Sequence, residues 1–423
     1  METSAAVMET VFTYASPRLK FGAGASAEID FEVRSLGGRR VLIVTDPGVA
    51  ATGHPGRIAE QLTAAGCDVA VFDAVHIEPT DESMNAAVDW AREAGPFDVV
   101  VAVGGGSCID TAKCVNLLTT NDGVLQDYLN APVGAGRAPS RPLLPLIAVP
   151  TTTGTGSEST TICVLDVLAL QVKTGISHPA LRPTVAVVDP DLTMTQPAGV
   201  TAAAGLDILC HALESYTARP YTAYPRKTAA ERVPYCGANP IADVFCEKAI
   251  GLLARSFRTA FRDGDDAAAR ADMALAATLA GLGFGNAGVH IPHANAYPIA
   301  GNVRDFRPAG YPAGEALVPH GMAVALTAPA AFELTYAGAP KRHDRLAALL
   351  AGRDVPAGPD ALPDVIRALM ADLSVPMGLR EVGYTADDID VLVDGALRQQ
   401  RLLATAPLDV GAADLVAVFR ASL

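Results

Sequence analysis

The sequence predicts an α/β N-terminal domain built on a mostly parallel sheet, followed by an all-α C-terminal domain, divided at residues 1–197 and 198–423. Three observations predict it. Short β-branched runs alternate with amphipathic stretches up to about residue 190, and those runs are nearly continuous in Val and Ile. After Pro197 they disappear and Ala- and Leu-rich helical periodicity takes over. Continuous runs of that kind suit strands buried on both faces, as parallel sheets require.

In order, the predicted strands are RVLIVTD (40–46), CDVAVFD (67–73), FDVVVAVGGG (97–106), LPLIAVP (144–150) and PTVAVVD (183–189). Between them lie helical segments such as HPGRIAEQLTAAG (54–66) and DESMNAAVDWAREAG (81–95), the latter opening on an acidic cap. Strand–helix alternation at this spacing makes a doubly wound, Rossmann-like sheet with ligands at the carboxyl ends of its strands. Farther on, ADVFCEKAIGLLARSFRTAF (242–261) and ARADMALAATLAGLGFG (269–285) read as helices, and residues 219–239 as an inserted loop rich in Pro, Tyr and basic residues. The active site is expected between the two halves.

Composition narrows the function. The 423 residues carry 32 Lys and Arg against 46 Asp and Glu, a formal charge of −14 that repels nucleic acid and anionic membrane alike. Seven cysteines without a C-x-x-C pair read as reduced thiols rather than a disulfide framework. The first thirty residues contain early acidic residues and no apolar h-region, and the apolar stretch 316–332 is broken by Pro319, His320 and Pro329. A cytoplasmic protein with small-molecule partners is the expectation.

FDVVVAVGGGSCIDTAK runs from a strand through Gly104, Gly105 and Gly106 into a helix that Ser107 is expected to cap. Exposed N–H groups there suit a pyrophosphate; the bland alternative is a tight turn. PTTTGTGSE (150–158) offers hydroxyl and backbone donors for ribose and phosphate, or is merely a polar loop. Asp46 ends a strand where a carboxylate accepts ribose hydroxyls and repels a 2′-phosphate, or caps a helix. Lys173 is a lone candidate for a phosphate or hydroxyl. FGAGASAEI (21–29) mimics G-x-G-x-x-G but follows a poor strand, so it reads as a turn.

In the helical half, GLDILCHALESY sets Asp207 and His211 four apart, on one helix face, where they can share a cation. NAGVHIPHANAYPIAG adds His290 and His293, and LVPHGMAVAL adds His320. A single buried His is usually a core residue; several in apolar surroundings shift the balance toward a ligand set. One carboxylate and three imidazoles around a divalent cation leave a charge near +1, and with an open position the ion acts as a Lewis acid toward an alcohol or carbonyl oxygen. Mixed N/O ligation suits Fe(II) or Zn(II), with supply deciding between them.

GGGSCIDTAK, PTTTGTGSE, the D-x-x-x-H pair and PHGMAVAL, in that order, resemble the iron-containing (group III) alcohol dehydrogenases over nearly the whole chain. The resemblance implies metal ligands Asp207, His211, His293 and His320. It implies NAD contacts at Asp46, Gly105, Gly106, Ser107, Asp110, Thr151, Thr152, Thr155, Ser157 and Lys173. Within the family, HIEPTDESMNAAVDWA, CHALESYTARPY, GANPIADV and GFGNAGVHIPHANAYPIAG look like the hydroxyacid-oxoacid transhydrogenase subgroup, which couples oxidation of 4-hydroxybutyrate to reduction of 2-oxoglutarate while nicotinamide stays bound. A homo-oligomer, a dimer, is expected.

Many family members carry a second His four residues after the third ligand; this chain has Tyr297, as the subgroup does, and a phenol with a pKa of about 10 relays protons less readily than imidazole. His290 is an alternative proton carrier, with core packing the plainer reading. Arg304 and Arg307, between the two downstream ligands, are candidate substrate-carboxylate forks, with solvated surface arginines as the plainer reading. The alternatives are a general NAD-dependent alcohol dehydrogenase that releases its cofactor, a dehydroquinate-synthase-like lyase and a nonenzymatic nucleotide binder. The lyase would want a cluster of Lys and Arg that this sequence lacks; the full ligand set argues against a nonenzymatic role.

Overall fold

A computed structural model describes residues 7–170, 172–232, 235–311, 314 and 316–423. Among the described residues eight strands follow in chain order: β1 (Arg18–Phe21), β2 (Arg40–Val44), β3 (Asp68–Phe72), β4 (Val99–Gly104), β5 (Leu146–Pro150), β6 (Ile162–Val167), β7 (Val172–Ser177) and β8 (Val185–Val188). Six form a parallel sheet ordered β1-β8-β5-β4-β2-β3, and β6 and β7 pair antiparallel as a separate ribbon. All five predicted runs are strands of the sheet. β1 and the β6–β7 ribbon were not foreseen.

Five longer helices accompany the sheet: α1 (Ile29–Ser35), α2 (Pro47–Ala51), α3 (His54–Ala64), α4 (Asp81–Ala94) and α5 (Gly106–Thr120), with the single turn α6 (Leu125–Tyr128) after them. Alternation along each strand divides the core into two faces. Leu42, Val44, Val100 and Ala102 meet Met84 and Val88 of α4 and Ile109 of α5. Val41, Ile43, Val99 and Val101 meet Ile29 of α1 and Ile58 and Leu62 of α3. β4 is buried at every position, and each such Val contributes about 1.5–3 kcal/mol. The sheet therefore holds the loop after β4 rigidly. Because β2 connects outward to β3 and β4 connects the other way to β5, the sheet's switch point lies at the carboxyl ends of β2 and β4, beside Asp46 and Gly105.

The remaining helices are α7 (Ala198–Thr217), α8 (Pro240–Arg262), α9 (Ala267–Ala287), α10 (Ile291–Gly301), α11 (His320–Thr335), α12 (Pro340–Ala351), α13 (Ala361–Asp372), α14 (Ile389–Leu397), α15 (Gln400–Leu403) and α16 (Ala412–Ala421). Among the described residues no single helix is long and apolar enough to cross a membrane.

The chain forms two compact units. One comprises Ser16–Thr201 with Arg262–Gly281; the other takes the residues up to Ala15, Ala202–Phe261 and Leu282–Leu423. The expected boundary at 197/198 thus lies near the Thr201/Ala202 divide, but two segments are exchanged. Ala274 packs on Ala186 and Val188 of β8, and the buried Arg270 bonds the Thr201 hydroxyl (2.7 Å) and the Gln196 carbonyl (2.8 Å). At the other end, the buried Glu9 carboxylate accepts from the Lys227 backbone N–H (2.9 Å) and from Arg232 (3.1 Å), strapping the N-terminal segment onto the inserted loop.

Two local expectations are corrected. Thr80, not an acidic residue, caps α4, its hydroxyl accepting from the Ser83 N–H at 3.0 Å. Gly105 is the N-cap of α5, so Ser107 lies inside the first turn and its hydroxyl accepts from the Glu78 N–H (3.2 Å). The 21–29 segment is a turn, pinned by the Asp189 carboxylate through the N–H groups of Gly24 and Ser26, each at 3.0 Å.

Candidate active site

In the α/β unit two loops lie against each other. A Cβ placed on Gly105 would come 3.0 Å from the Thr152 hydroxyl, and one on Gly106 would come 2.7 Å from the Thr155 methyl, so the threonine loop occupies the space that only glycine leaves open. The Thr151 N–H bonds the Gly104 carbonyl (3.1 Å), while its hydroxyl is buried without a partner. An orphaned buried hydroxyl beside a glycine-lined helix start fits a polar ligand with phosphate oxygens.

Below this surface the predicted contacts serve as supports. Asp110 accepts from the Ser157 hydroxyl and, through its other oxygen, from the Val164 N–H (2.9 Å). The fully buried Lys113 donates to the Ser157 hydroxyl (2.7 Å), the Thr160 hydroxyl (3.1 Å) and the Ile162 carbonyl (2.6 Å). Sequence reasoning missed Lys113 although it closes the quoted GGGSCIDTAK motif; the signal was its i,i+3 spacing from Asp110 on one helix face. Asp46 caps α2 through the Val49 N–H (2.9 Å) and accepts from the Cys108 thiol (3.1 Å), which burial and that carboxylate keep protonated. Each oxygen retains a lone pair for a ribose hydroxyl. Lys173, expected to reach a ligand, is instead held on β7 between Glu78 and Asp166, both at 2.8 Å; burial opposes its charge, but the two carboxylates raise its pKa.

In the helical unit Asp207, His293 and His320 bring ligand atoms within 4.8 Å of one another, and the fourth predicted ligand, His211, stands beside Asp207. Asp207 and His211 share one face of α7; His293 lies in the first turn of α10, and His320 begins α11 after Pro319. Imidazole Nε2 atoms of His293, His211 and His320 stand 3.5, 3.6 and 3.8 Å from Asp207 Oδ1. Ligands 2.0–2.2 Å from a tetrahedral cation are separated by about 3.4 Å, so this spacing suits a metal. Asp207 Oδ1 and His293 Nε2 are buried without hydrogen-bond partners, the state of atoms facing a cation rather than each other. The His211 ring is fixed by stacking on Phe284, with centroids 3.8 Å apart and planes within 5°.

Glycine makes the convergence possible. A Cβ on Gly321 would strike the Ala203 carbonyl and come 2.6 Å from Asp207 Cβ, so His320 reaches Asp207 only because α11 begins flush against α7. Burial alone would raise the Asp207 pKa, but the three imidazoles hold it well below the carboxylate range. Burial, with its neighbouring imidazoles, takes His211 down to about 3 against the pull of Asp207. For His293 burial also lowers the pKa, yet Glu214 and Asp207 outweigh it and raise it to about 9. A divalent cation binding such a set displaces protons.

Glu214 is the residue that sequence reasoning missed here. Fully buried on α7, it accepts from His293 Nδ1 at 2.5 Å and from the His290 N–H at 2.6 Å, orienting the ligand while capping α10. Its signal was the spacing 207, 211, 214, which continues one helix face.

The remaining catalytic candidates fare differently. Tyr297 sits one turn beyond His293, edge-on to His320 with ring centroids 6.4 Å apart. His290 is a core residue: its Nε2 meets the Thr217 hydroxyl (3.0 Å), its ring packs on Phe332, and burial lowers its pKa to about 4. Arg304 is tied to Asp388 and to the Gly383 carbonyl (3.3 Å), and the exposed Arg307 bonds the Asp305 carbonyl (3.0 Å). Both arginines are exposed, and their contacts are with Asp388, Gly383 and Asp305 rather than with the metal ligands.

A nucleotide-binding parallel sheet joined in one chain to an Asp/His cation cage defines a metal- and dinucleotide-dependent oxidoreductase. Family models agree: one described as iron-containing alcohol dehydrogenase matches residues 16–190, and its C-terminal counterpart matches 201–423. The chain belongs to the iron-containing alcohol dehydrogenase family and is an oxidoreductase acting on CH–OH groups. Relatives named mitochondrial hydroxyacid-oxoacid transhydrogenase are 42% identical over 428 residues in Xenopus laevis and 41% over 432 in Bos taurus. These alignments span 99% and 100% of this chain and 92% of each relative. Among solved structures, a 1,3-propanediol oxidoreductase is 30% identical with a TM-score of 0.85, covering 98% of this chain and all of that one. Sulfoacetaldehyde reductase from Bifidobacterium kashiwanohense, solved with NAD+, is 26% identical with a TM-score of 0.80, covering 97% and 98%.

The transhydrogenase relatives correct the expected cytoplasmic location, since they are named as mitochondrial. The expectation rested on reduced thiols, which a reducing organelle shares with the cytosol.

Proposed function

We propose that the protein is a hydroxyacid-oxoacid transhydrogenase: 4-hydroxybutyrate is oxidised to succinate semialdehyde, and the same hydride reduces 2-oxoglutarate to 2-hydroxyglutarate. The observation that carries this reading is full-length identity of 40–42% to relatives of that name, above the 30% and 26% to alcohol- and aldehyde-handling neighbours. When bound, a divalent Fe(II) or Zn(II) ion would supply Lewis acidity toward the reacting oxygen, and NAD a place to hold the hydride between half-reactions.

The chain's own residues do the rest. Asp207, His211, His293 and His320 hold the cation, and Glu214 keeps His293 Nε2 turned toward Asp207. Tyr297 is the group we assign to pass the hydroxyl proton. The N–H groups at the start of α5, with Thr151, Thr152 and Thr155, bind the pyrophosphate and ribose, while Asp110, Ser157 and Lys173 brace their loops. Asp46 disfavours a 2′-phosphate, so NAD rather than NADP is the ligand. The open edge of β1, with Leu19 and Phe21 exposed, supports a homodimer by edge pairing.

The test is to incubate metal-loaded protein, as purified with its nucleotide, with 4-hydroxybutyrate and 2-oxoglutarate and no free nicotinamide. 2-Hydroxyglutarate is expected in large molar excess over enzyme. Turnover only with added NAD would instead favour the second reading, a general NAD-dependent alcohol dehydrogenase, which the likeness to the 1,3-propanediol oxidoreductase supports.

A further inference from the structure

On the transhydrogenase reading, the two substrates share a dimension. 4-Hydroxybutyrate carries its carboxylate two methylenes from the reacting carbon, and 2-oxoglutarate carries its distal carboxylate two methylenes from the reacting keto carbon. One cation at a fixed distance from the metal cage would therefore serve both half-reactions. Arg219, Arg304 and Arg342 are each committed to a carboxylate, Asp409, Asp388 and Asp243 respectively.

Arg401, on α15, differs. It is exposed and has no carboxylate partner among the described residues; its guanidinium carbon lies 4.5 Å from the centroid of the Tyr235 ring. Tyr235 comes from the inserted loop and has a backbone φ of 68°, uncommon for a bulky side chain and a form of strain that collects at functional sites. Its ring lies against Gly288, where a Cβ would come 3.2 Å from the ring; Gly288 itself has φ 101° and stands just before the N-cap of α10. The Thr405 hydroxyl donates to the Val289 carbonyl, and the Arg219 N–H donates to the Thr405 carbonyl (2.8 Å), docking the end of α15 beside the same turn. Burial raises the Tyr235 phenol to about 12; Arg401 lowers it, and Tyr297 and Glu214 raise it.

We propose that Arg401, held in place by the Tyr235 ring, binds the distal carboxylate common to 4-hydroxybutyrate, succinate semialdehyde, 2-oxoglutarate and 2-hydroxyglutarate, and so selects these acids over uncharged alcohols. A guanidinium fork suits a carboxylate bidentately, and stacking on an aromatic face preorganises it. Tyr235 acts through Arg401 and is a positioning residue.

The experiment uses metal-loaded holoenzyme carrying Arg401→Gln, Arg401→Lys or Tyr235→Leu. Arg401→Gln is expected to raise KM for both 4-hydroxybutyrate and 2-oxoglutarate roughly 10- to 100-fold, the loss of hydrogen bonds to a charged group. Oxidation of 1-butanol should be unchanged, Arg401→Lys should recover part of the loss, and Tyr235→Leu should raise the same two KM values with little effect on 1-butanol. A readout independent of turnover is phenylglyoxal labelling of Arg401 followed by peptide mass spectrometry, from which succinate should protect it. Unchanged KM values in Arg401→Gln, or no protection by succinate, would overturn the anchor. Wild-type enzyme that fails to transhydrogenate without free nicotinamide would overturn the reading beneath it, a separate result.

Discussion

Glu214→Gln isolates the role of the carboxylate behind the metal cage. Glu214 accepts from the His290 N–H with Oε2 (2.6 Å) and from His293 Nδ1 with Oε1 (2.5 Å). A glutamine keeps an acceptor for the His290 N–H only by placing its carbonyl at the Oε2 position, which turns its NH2 toward His293 Nδ1. That donor forces the imidazole into the other tautomer, with a proton on Nε2, the atom 3.5 Å from Asp207 Oδ1. A ligand nitrogen is thereby blocked. Outer carboxylates of this kind are worth about 10- to 100-fold in metal affinity, or about 1.4–2.7 kcal/mol, close to the roughly 1.5–3 kcal/mol of a hydrogen bond to a charged group. The assay is competition for Zn(II) or Fe(II) with a chromophoric chelator, with NAD affinity and melting temperature in excess chelator as controls. Metal affinity within twofold of wild type would refute the reasoning.

Gly321→Ala should drive α11 off α7; overpacking of about 1–3 kcal/mol and a reduced metal content are expected, checked by thermal melting and elemental analysis. Lys113→Met leaves Asp110 buried without its cation and removes the tie to the Ser157 hydroxyl, so stability should fall by about 3–5 kcal/mol and NAD binding weaken, as read by denaturant unfolding and nucleotide titration. Glu9 has its pKa lowered from 4.5 to about 2 by the Lys227 N–H and by Arg232. Its depressed value means that the strap is fully stabilised above about pH 4.5 and weakens as pH falls toward 2. Limited proteolysis of the inserted loop should therefore accelerate across that window in wild type, whereas Glu9→Gln should be susceptible throughout with a flatter pH dependence.

The parts of the fold legible in the sequence are those whose burial is symmetric. β2, β4, β5 and β8 are covered on both faces, and their Val and Ile runs follow directly from that. β1 reads RLKF because it lies on the open edge with three of its four residues exposed, so no hydrophobic period marks it. The β6–β7 ribbon is stapled by Lys173, whose two carboxylate partners come from separate segments, and its sequence gave no turn signal. Among site residues, Asp207 and His211 were legible because helical spacing is local. Tyr235 and Arg401 meet only through the packing of a loop and a short helix, 166 residues apart in sequence. Arg304 and Arg307 were read from sequence proximity alone, and residues between two ligands in sequence need not lie between them in space: Arg304 bonds Asp388 and Arg307 bonds the Asp305 carbonyl.

The charge of the cage explains why such an arginine matters. A divalent ion with Asp207 and three neutral imidazoles carries about one positive charge, and the carboxylate of Glu214, bonded to His293 at 2.5 Å, cancels it. An alcohol loses nothing by this, because only its oxygen needs the ion's Lewis acidity. A hydroxy acid or oxo acid also brings a carboxylate into a protein of formal charge −14, and a neutral cage offers that group no net attraction. A member of this family that handles acids therefore needs a second positive centre outside the cage, far enough from the reacting carbon to admit two methylenes. In the helical unit, the arginines paired with Asp388, Asp409 and Asp243 are already committed, which is why the proposed anchor is Arg401, stacked on the strained Tyr235 beside the turn into α10.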